Sequence, residues 1–205
     1  MKVALRYQMS EYDCGPTALL NAISFLFERE EITPSIIRNI MLYSLDTYDG
    51  QGGMGTGGTS ATAMFFLGHW LTEYGKSGHL PVSGRYLSGD SVWIGNSSSI
   101  NDALIRGGAV VMRVLYEVGH YILLTGVDGN KIRVFDSYIE EGSLPEGILE
   151  IKDQPKLCNR LVDWEVFNRE GLEMYNLGPV ENREAVIIFN EKTKITPEKS
   201  IEYFI

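Results

Sequence analysis

The segment from residue 109 to residue 136 restricts the fold more than any other part of the sequence. Ala109–Leu115 and Tyr121–Val127 are rich in branched and aromatic residues, which is typical of strands. Asp128-Gly129-Asn130 then supplies turn-forming residues, and Ile132–Phe135 resumes the apolar pattern. The sequence therefore predicts strands in this region, the last two joined as an antiparallel β-hairpin.

Helical patterns occupy the first half of the sequence. Apolar residues recur at helical spacing, and proline is tolerated in a first helical turn. The predicted helices run from Gly15-Pro16 to about Glu30, from Pro34 after an N-cap at Thr33, from Thr59 or Ser60 to about Tyr74, and over residues 99–106. A late strand is expected over Ala185–Phe189, and residues 140–180 give no clear pattern. Because helices come first and strands later, we expect an α+β fold.

Length and charge exclude several classes of protein. The 205 residues suffice for a single domain, with a helical part over about 1–107 and a β-sheet part over about 108–205. The formal net charge of −9 is repelled by phosphate backbones and anionic lipids, so neither nucleic-acid nor membrane partners are expected. Residues 1–8 lack the apolar region of a secretory signal. Two cysteines are too few for a disulfide framework, and we expect a cytoplasmic protein.

The most reactive position in the sequence is the start of the first helix. Cys14 directly precedes Gly15-Pro16, where free N–H groups and the helix dipole stabilise a thiolate over a thiol. Gln8 lies six residues earlier and could donate a second hydrogen bond to an oxyanion, beside the N–H of Cys14. On position alone, Cys14 could equally be a buried structural cysteine and Gln8 a surface residue.

A cysteine nucleophile needs a base, and the strand pattern favours His120 over His69 and His79. The turn at residues 128–130 places residue 120 opposite residues 136 to 138, so Asp136 lies across from His120 or one diagonal step away. A carboxylate there can fix the imidazole tautomer and stabilise the imidazolium. The alternatives are a hydrogen-bonded structural histidine and an aspartate that caps the next turn.

Other motifs support other chemistry only weakly. Gly50-x-Gly52-x-x-Gly55 matches the dinucleotide fingerprint, but the preceding stretch is too polar for a buried strand. We expect this glycine-rich loop, residues 50–58, to lie beside a cleft. Zinc binding lacks a close pair of ligands. A disulfide between Cys14 and Cys158 remains an alternative in an oxidising setting and would remove the nucleophile.

Two motifs together resemble a known family. Gln8-x5-Cys14-Gly-Pro-Thr before a helix, and Gly-His120-Tyr-Ile-Leu-Leu-Thr-Gly-Val-Asp-Gly with Asp136 16 residues after the histidine, closely resemble the papain-like cysteine peptidases of family C-39. These bacterial peptidases process bacteriocins by cutting after double-glycine leaders, and they have stand-alone relatives called C-39-like. The resemblance covers about residues 5–30 and 105–140.

The resemblance implies a papain-like fold whose cleft lies between the helical part and the sheet. It implies Cys14 as nucleophile, His120 as base, Asp136 as its orienting group and Gln8 as oxyanion donor, with no metal or organic cofactor. The expected activity is hydrolysis of a peptide or amide bond, on a substrate that can carry a glycine-rich cleavage site. An acyltransferase with the same acyl-enzyme chemistry and an inactive peptide-binding module stay open. The transporter of bacteriocin exporters is not expected here, residues 140–205 do not match, and the oligomeric state is open.

Overall fold

A computed structural model describes residues 1–140 and 142–196. Within these ranges the α-helices are α1 (Cys14–Leu26), α2 (Pro34–Ser44), α3 (Ala61–Lys76), α4 (Ser99–Ile105) and α5 (Trp164–Phe167). Short 3-10 helices cover Gly89–Ser91 and Val180–Asn182. The strands are β1 (Val82–Ser88), β2 (Ala109–Tyr116), β3 (Val118–Asp128), β4 (Lys131–Phe135), β5 (Ile148–Glu150), β6 (Arg160–Asp163) and β7 (Glu184–Asn190).

These strands form one sheet in the order β1-β7-β2-β3-β4-β6-β5, and every neighbouring pair is antiparallel. The predicted hairpin is β3–β4, and Asp128 pairs with Lys131 across its turn. Gly129 has a φ of +61° at the first turn position, which glycine adopts without steric cost. The α+β prediction is confirmed.

Both faces of the sheet are covered, which explains why β2 and β3 are almost continuously apolar. Residues such as Val111 and Leu123 face α1, α2 and α3. Their neighbours Met112 and Ile122 face α4 and α5 on the other side. Helix α1 packs on β2 and β3 through Leu19, Ala22, Ile23 and Leu26, which share one helical face. This packing fixes the N-terminus of α1 beside β3.

Several predicted boundaries differ from the structure. Helix α1 ends at Leu26 rather than near Glu30, and Phe27 then adopts an extended conformation. Strand β3 begins at Val118, so His120 lies inside the strand and does not open it. Strand β1 was not predicted, and it precedes α4 in the chain. The predicted domain reaches residue 205, and its last residues, 197–205, lie outside the described ones.

Candidate active site

Cys14 is the first residue of α1 and is 8% exposed. The preceding residue, Asp13, turns its carboxylate back onto the connecting loop, where it accepts hydrogen bonds from the N–H groups of Met9 (3.1 Å) and Ser10 (2.8 Å). Burial of this carboxyl opposes ionisation, but these donors outweigh it and lower the pKa of Asp13. Asp13 therefore stabilises the turn between Gln8 and Cys14.

Thr59, which directly follows the glycine-rich loop, packs against the first turn of α1 at Gly15. A Cβ atom at Gly15 would lie 2.2 Å from Oγ1 of Thr59, so a larger residue cannot fit without displacing the loop. The Thr59 hydroxyl is buried and has no hydrogen-bond partner among the described residues. Glycine at position 15 thus permits the close contact between α1 and the loop.

His120 and Asp136 form a buried hydrogen-bonded pair. Nε2 of His120 lies 2.7 Å from Oδ1 of Asp136, and the two residues are 6% and 2% exposed. Burial disfavours the charged ring, but the Asp136 carboxylate outweighs it and raises the pKa of His120 from 6.5 to about 10. The nearby Cys14 side chain also raises the pKa of His120, with a smaller effect than the carboxylate. The structure therefore brings Cys14, His120 and Asp136 together in that order.

Asp136 is held by groups that the sequence did not identify. Its Oδ1 also accepts from the Tyr138 N–H at 2.9 Å, and its Oδ2 accepts from the Tyr175 hydroxyl at 2.6 Å. Asn159 bonds the Asp136 backbone on both sides, since Oδ1 accepts from the N–H (2.8 Å) and Nδ2 donates to the carbonyl (2.7 Å). Burial by itself would raise the pKa of Asp136, but the His120 cation and the hydrogen bonds from Tyr175 and Tyr138 hold that pKa below its usual value.

Gln8 is bound to the sheet end next to Asp136. Its backbone N–H donates to the Ser137 carbonyl at 3.0 Å, and its Oε1 accepts from the Ser137 hydroxyl at 2.9 Å. Nε2 donates to the Ser10 carbonyl at 2.9 Å. In the described residues no hydrogen bond joins Gln8 to Cys14. An amide nitrogen carries two hydrogens, so one donor of Gln8 remains free.

Residues of this group line two open cavities. The first, here called the Cys14 cavity, has a volume of about 420 Å³ and is lined by Cys14, Arg113, Gly119 and the loop residues 56–59, among others. The second, the Gln8 cavity, has a volume of about 270 Å³ and is lined by residues 8–11 and 137–139. The predicted position of the glycine-rich loop beside the cleft agrees with this lining. Of the described residues between 140 and 180, none lines either cavity.

The remaining histidines and the second cysteine lie elsewhere. The ring of His69 packs against Phe65 at 4.5 Å and that of His79 against Tyr74 at 5.5 Å. Both cysteines are free thiols, and burial raises the pKa of Cys158. Across residues 1–140 and 142–196, no group of three or more His, Cys, Asp or Glu residues is placed to hold a metal ion. No helix in these ranges has the length and apolar character of a membrane span.

Comparison with known proteins identifies the family. No curated protein matches the chain. The family described as Peptidase_C39 like matches residues 1–151, which include α1, the β3–β4 hairpin and Asp136. This match over most of the chain, on an α+β papain-like fold, indicates cysteine peptidase activity. The chain belongs to the C-39-like peptidase family.

Proposed function

We propose that the protein hydrolyses peptide or amide bonds with Cys14 as nucleophile, His120 as acid and base, Asp136 as the group that orients His120, and Gln8 as an oxyanion donor. The observation that carries the proposal is the buried hydrogen bond between His120 and Asp136, with the Cys14 side chain next to the imidazole. A cysteine, a histidine and a carboxylate in this order can both form and hydrolyse an acyl-enzyme.

The protonation state of His120 sets the order of the steps. Because its pKa is raised to about 10, the ring is an imidazolium at neutral pH. We propose that Cys14 reacts as the thiolate beside this cation. The thiolate attacks the carbonyl carbon, and a C–S bond forms while the carbonyl oxygen becomes an oxyanion. The imidazolium then gives its proton to the leaving nitrogen as the C–N bond breaks. Neutral His120 next removes a proton from water, which attacks the thioester and releases the acid and Cys14.

The oxyanion is proposed to lie at the start of α1. The first N–H groups of a helix have no partner within it, and Cys14 is the first residue of α1. The free Nε2 hydrogen of Gln8 supplies the second donor once a substrate carbonyl is present. A donor of this kind contributes about 3 kcal/mol to transition-state stabilisation in other hydrolases.

The cleft supports cleavage within a peptide. The Cys14 cavity and the Gln8 cavity are both open and share Glu11 in their linings, which supports a substrate that extends from one cavity into the other. The Arg113 guanidinium lies directly over Gly119, because a Cβ there would be 2.3 Å from Nη2 of Arg113. This crowding, together with Gly57 and Gly58 in the lining of the same cavity, favours small residues such as glycine beside the cleaved bond. Free thiols suit a reducing compartment, and we propose a bacterial cytoplasmic enzyme.

Cysteine labelling tests the nucleophile without knowledge of the substrate. Iodoacetamide labelling from pH 5 to pH 9, read by mass spectrometry, should modify Cys14 already near pH 6, because the imidazolium stabilises the thiolate. Cys158 is the matched control and should label slowly and only at higher pH, because burial raises its pKa. His120→Ala should abolish the difference. Equal labelling of both cysteines at pH 6 would make Cys14 a structural residue and leave a binding module.

Peptide cleavage tests the reaction itself. A library of peptides from digested proteins is incubated with the wild type, Cys14→Ala and Cys158→Ala, and new termini are identified by mass spectrometry. We expect cleavage by the wild type and Cys158→Ala and none by Cys14→Ala. Added hydroxylamine would give hydroxamates as the main products from a transferase and only minor ones from a hydrolase. Cleavage by Cys14→Ala at the wild-type rate would refute the proposal.

A further inference from the structure

Tyr175 makes the shortest hydrogen bond to Asp136 and comes from a part of the chain outside the family match. Its hydroxyl donates to Oδ2 at 2.6 Å, and the residue is 0% exposed. The family match ends at residue 151, and the bond spans 39 residues of sequence. Each carboxylate oxygen of Asp136 therefore has its own partner, with His120 on Oδ1 and Tyr175 on Oδ2.

The backbone at Tyr175 is strained. Its φ is +66°, in the left-handed region that bulky residues rarely adopt. The strain is maintained by a reciprocal pair of backbone hydrogen bonds with the end of β2, from the Tyr175 N–H to the Leu115 carbonyl (2.8 Å) and from the Leu115 N–H to the Asn176 carbonyl (2.9 Å). Leu115 pairs with Gly119 in β3, next to His120. The loop is thus anchored to the strand pair that carries the imidazole.

Strain of this kind persists only where the surroundings impose it, and it is concentrated at functional sites. The ring of Tyr175 packs in the apolar cluster with α5, while its hydroxyl is the donor that Oδ2 of a buried carboxylate requires. Burial and the negative charge of Asp136 raise the pKa of Tyr175 well above 10, against a smaller opposite effect of the Arg160 guanidinium. The phenol therefore remains a donor throughout the pH range in which the enzyme can work.

We propose that Tyr175 is a positioning residue of the reaction, which fixes the Asp136 carboxylate in its ionised form with Oδ1 facing His120. This inference rests on the proposed function of Cys14, His120 and Asp136. Without the hydroxyl, Oδ2 is buried without a donor, and the carboxylate either rotates or takes up a proton. A protonated or rotated Asp136 no longer stabilises the imidazolium, and the Cys14 thiolate loses its partner. The segment after residue 151 is in this way part of the active site.

Tyr175→Phe tests this role, since it removes one oxygen atom and keeps the ring. We expect kcat to fall about 10- to 100-fold, the effect of one hydrogen bond to a charged group, with KM unchanged because Tyr175 lines neither cavity. The pH below which Cys14 labelling decreases should rise by about 1 to 2 pH units, because the Asp136 carboxylate protonates more readily without the hydroxyl. The same protonation of Asp136 should change the ¹⁵N chemical shifts of the His120 ring. This measurement does not depend on enzyme activity.

Tyr86→Phe is the matched control. Its hydroxyl also donates to a carboxylate, at 3.0 Å to Glu184. Among the described residues Tyr86 makes no hydrogen bond to His120 or Asp136, and it lines neither the Cys14 cavity nor the Gln8 cavity. We expect it to leave the labelling profile and the His120 shifts unchanged. Suppose that Tyr175→Phe leaves the labelling profile and the His120 shifts unchanged, while wild-type Cys14 labels at pH 6. The positioning role of Tyr175 is then wrong, and the proposed function stands. If wild-type Cys14 does not label, the proposed function fails, and the His120 shifts alone decide the role of Tyr175.

A folding defect would also be informative. If Tyr175→Phe does not fold, the double variant Asp136→Asn/Tyr175→Phe is made, in which the buried group is neutral. Recovery of a folded double variant, seen by circular dichroism and thermal melting, would show that the ionised carboxylate requires the hydroxyl. Failure of the double variant to fold as well would make Tyr175 a packing residue and overturn the proposal.

Discussion

Replacing Asp136 with Asn should change how the stability of the protein depends on pH. The structure accommodates the amide, because its oxygen can keep the bonds from His120 and Tyr138 while its nitrogen faces Tyr175. A hydroxyl rotates freely and can accept from that nitrogen. The substitution therefore removes the charge and retains the shape. Cys14→Ala is the background for both proteins, so that the thiol does not titrate.

The magnitude follows from the pKa of His120, which is about 10 in the folded protein against 6.5 for an ordinary histidine. Because the folded pKa is the higher one, the stabilisation is complete below about pH 6.5 and is lost as the pH rises through about 10. Between pH 7 and pH 9 the folded state holds one proton more than the unfolded state. The free energy of unfolding should fall by about 1.4 kcal/mol per pH unit, or about 3 kcal/mol over this range. In the Asp136→Asn variant the burial of the ring disfavours its charge, and this contribution disappears.

Urea denaturation at pH 7, 8 and 9, followed by tryptophan fluorescence, measures the effect. Other groups that titrate in this range, such as Cys158, are the same in both proteins and cancel in the comparison. We expect the two stability curves to diverge by up to about 3 kcal/mol between pH 7 and pH 9, because Cys14→Ala removes the smaller contribution of the Cys14 side chain to the raised pKa of His120. Parallel curves would show that Asp136 does not hold His120 in its charged form, and the thiolate–imidazolium pair would lose its physical basis.

Three further substitutions test the surroundings of the site. Gly15→Ala should displace the loop at Thr59, since the new Cβ would lie 2.2 Å from Oγ1; we expect a loss of about 1–3 kcal/mol in urea denaturation and a lower kcat/KM. Asn159→Ala removes both bonds to the Asp136 backbone and should cost about 2–3 kcal/mol by the same assay; a change below about 0.5 kcal/mol, the size of an ordinary surface substitution, would contradict this. Gln8→Ala should lower kcat about 100-fold in steady-state kinetics with little effect on KM; unchanged kcat would exclude Gln8 from the oxyanion site.

The parts of the site that the sequence predicted are local in the chain. Cys14 followed from a helix start, where proline and the later apolar spacing indicate the first turn. Asp136 followed from hairpin register, because the turn after residue 128 fixes which residues face His120. In both cases a short stretch of sequence determines the geometry, and the catalytic roles of these residues remain a prediction.

Tyr175 and Asn159 could not be predicted in this way. They lie 39 and 23 residues after Asp136 in the sequence. The region that contains them has short helices and strands and no sustained periodicity of apolar residues. The bonds depend on how that region folds back over the sheet, which no local pattern records. A buried carboxylate does require donors, so the sequence implied that partners exist without identifying them.

Strand β1 was missed for a different reason. Its sequence contains Gly84 and several polar residues, and only Val82 and Leu87 are buried. Gly84 is required because the Gly68 carbonyl of α3 would lie 2.4 Å from a Cβ at this position. A strand at the edge of the sheet that packs closely against a helix does not need alternating apolar and polar residues or β-branched residues. Its sequence therefore resembles that of a loop.

The position of β7 between β1 and β2 has a consequence for the timing of synthesis. The hairpin with His120 and the first residues after it are complete by Asp136, but β7 spans Glu184–Asn190. At about 5–20 residues per second, a ribosome takes roughly 3–10 seconds to add the intervening segment of about 50 residues. During that interval β1 and the free edge of β2 lack their shared neighbour. Nascent chains are thus unable to form the complete seven-stranded sheet, and the protein finishes folding only after β7 has been translated.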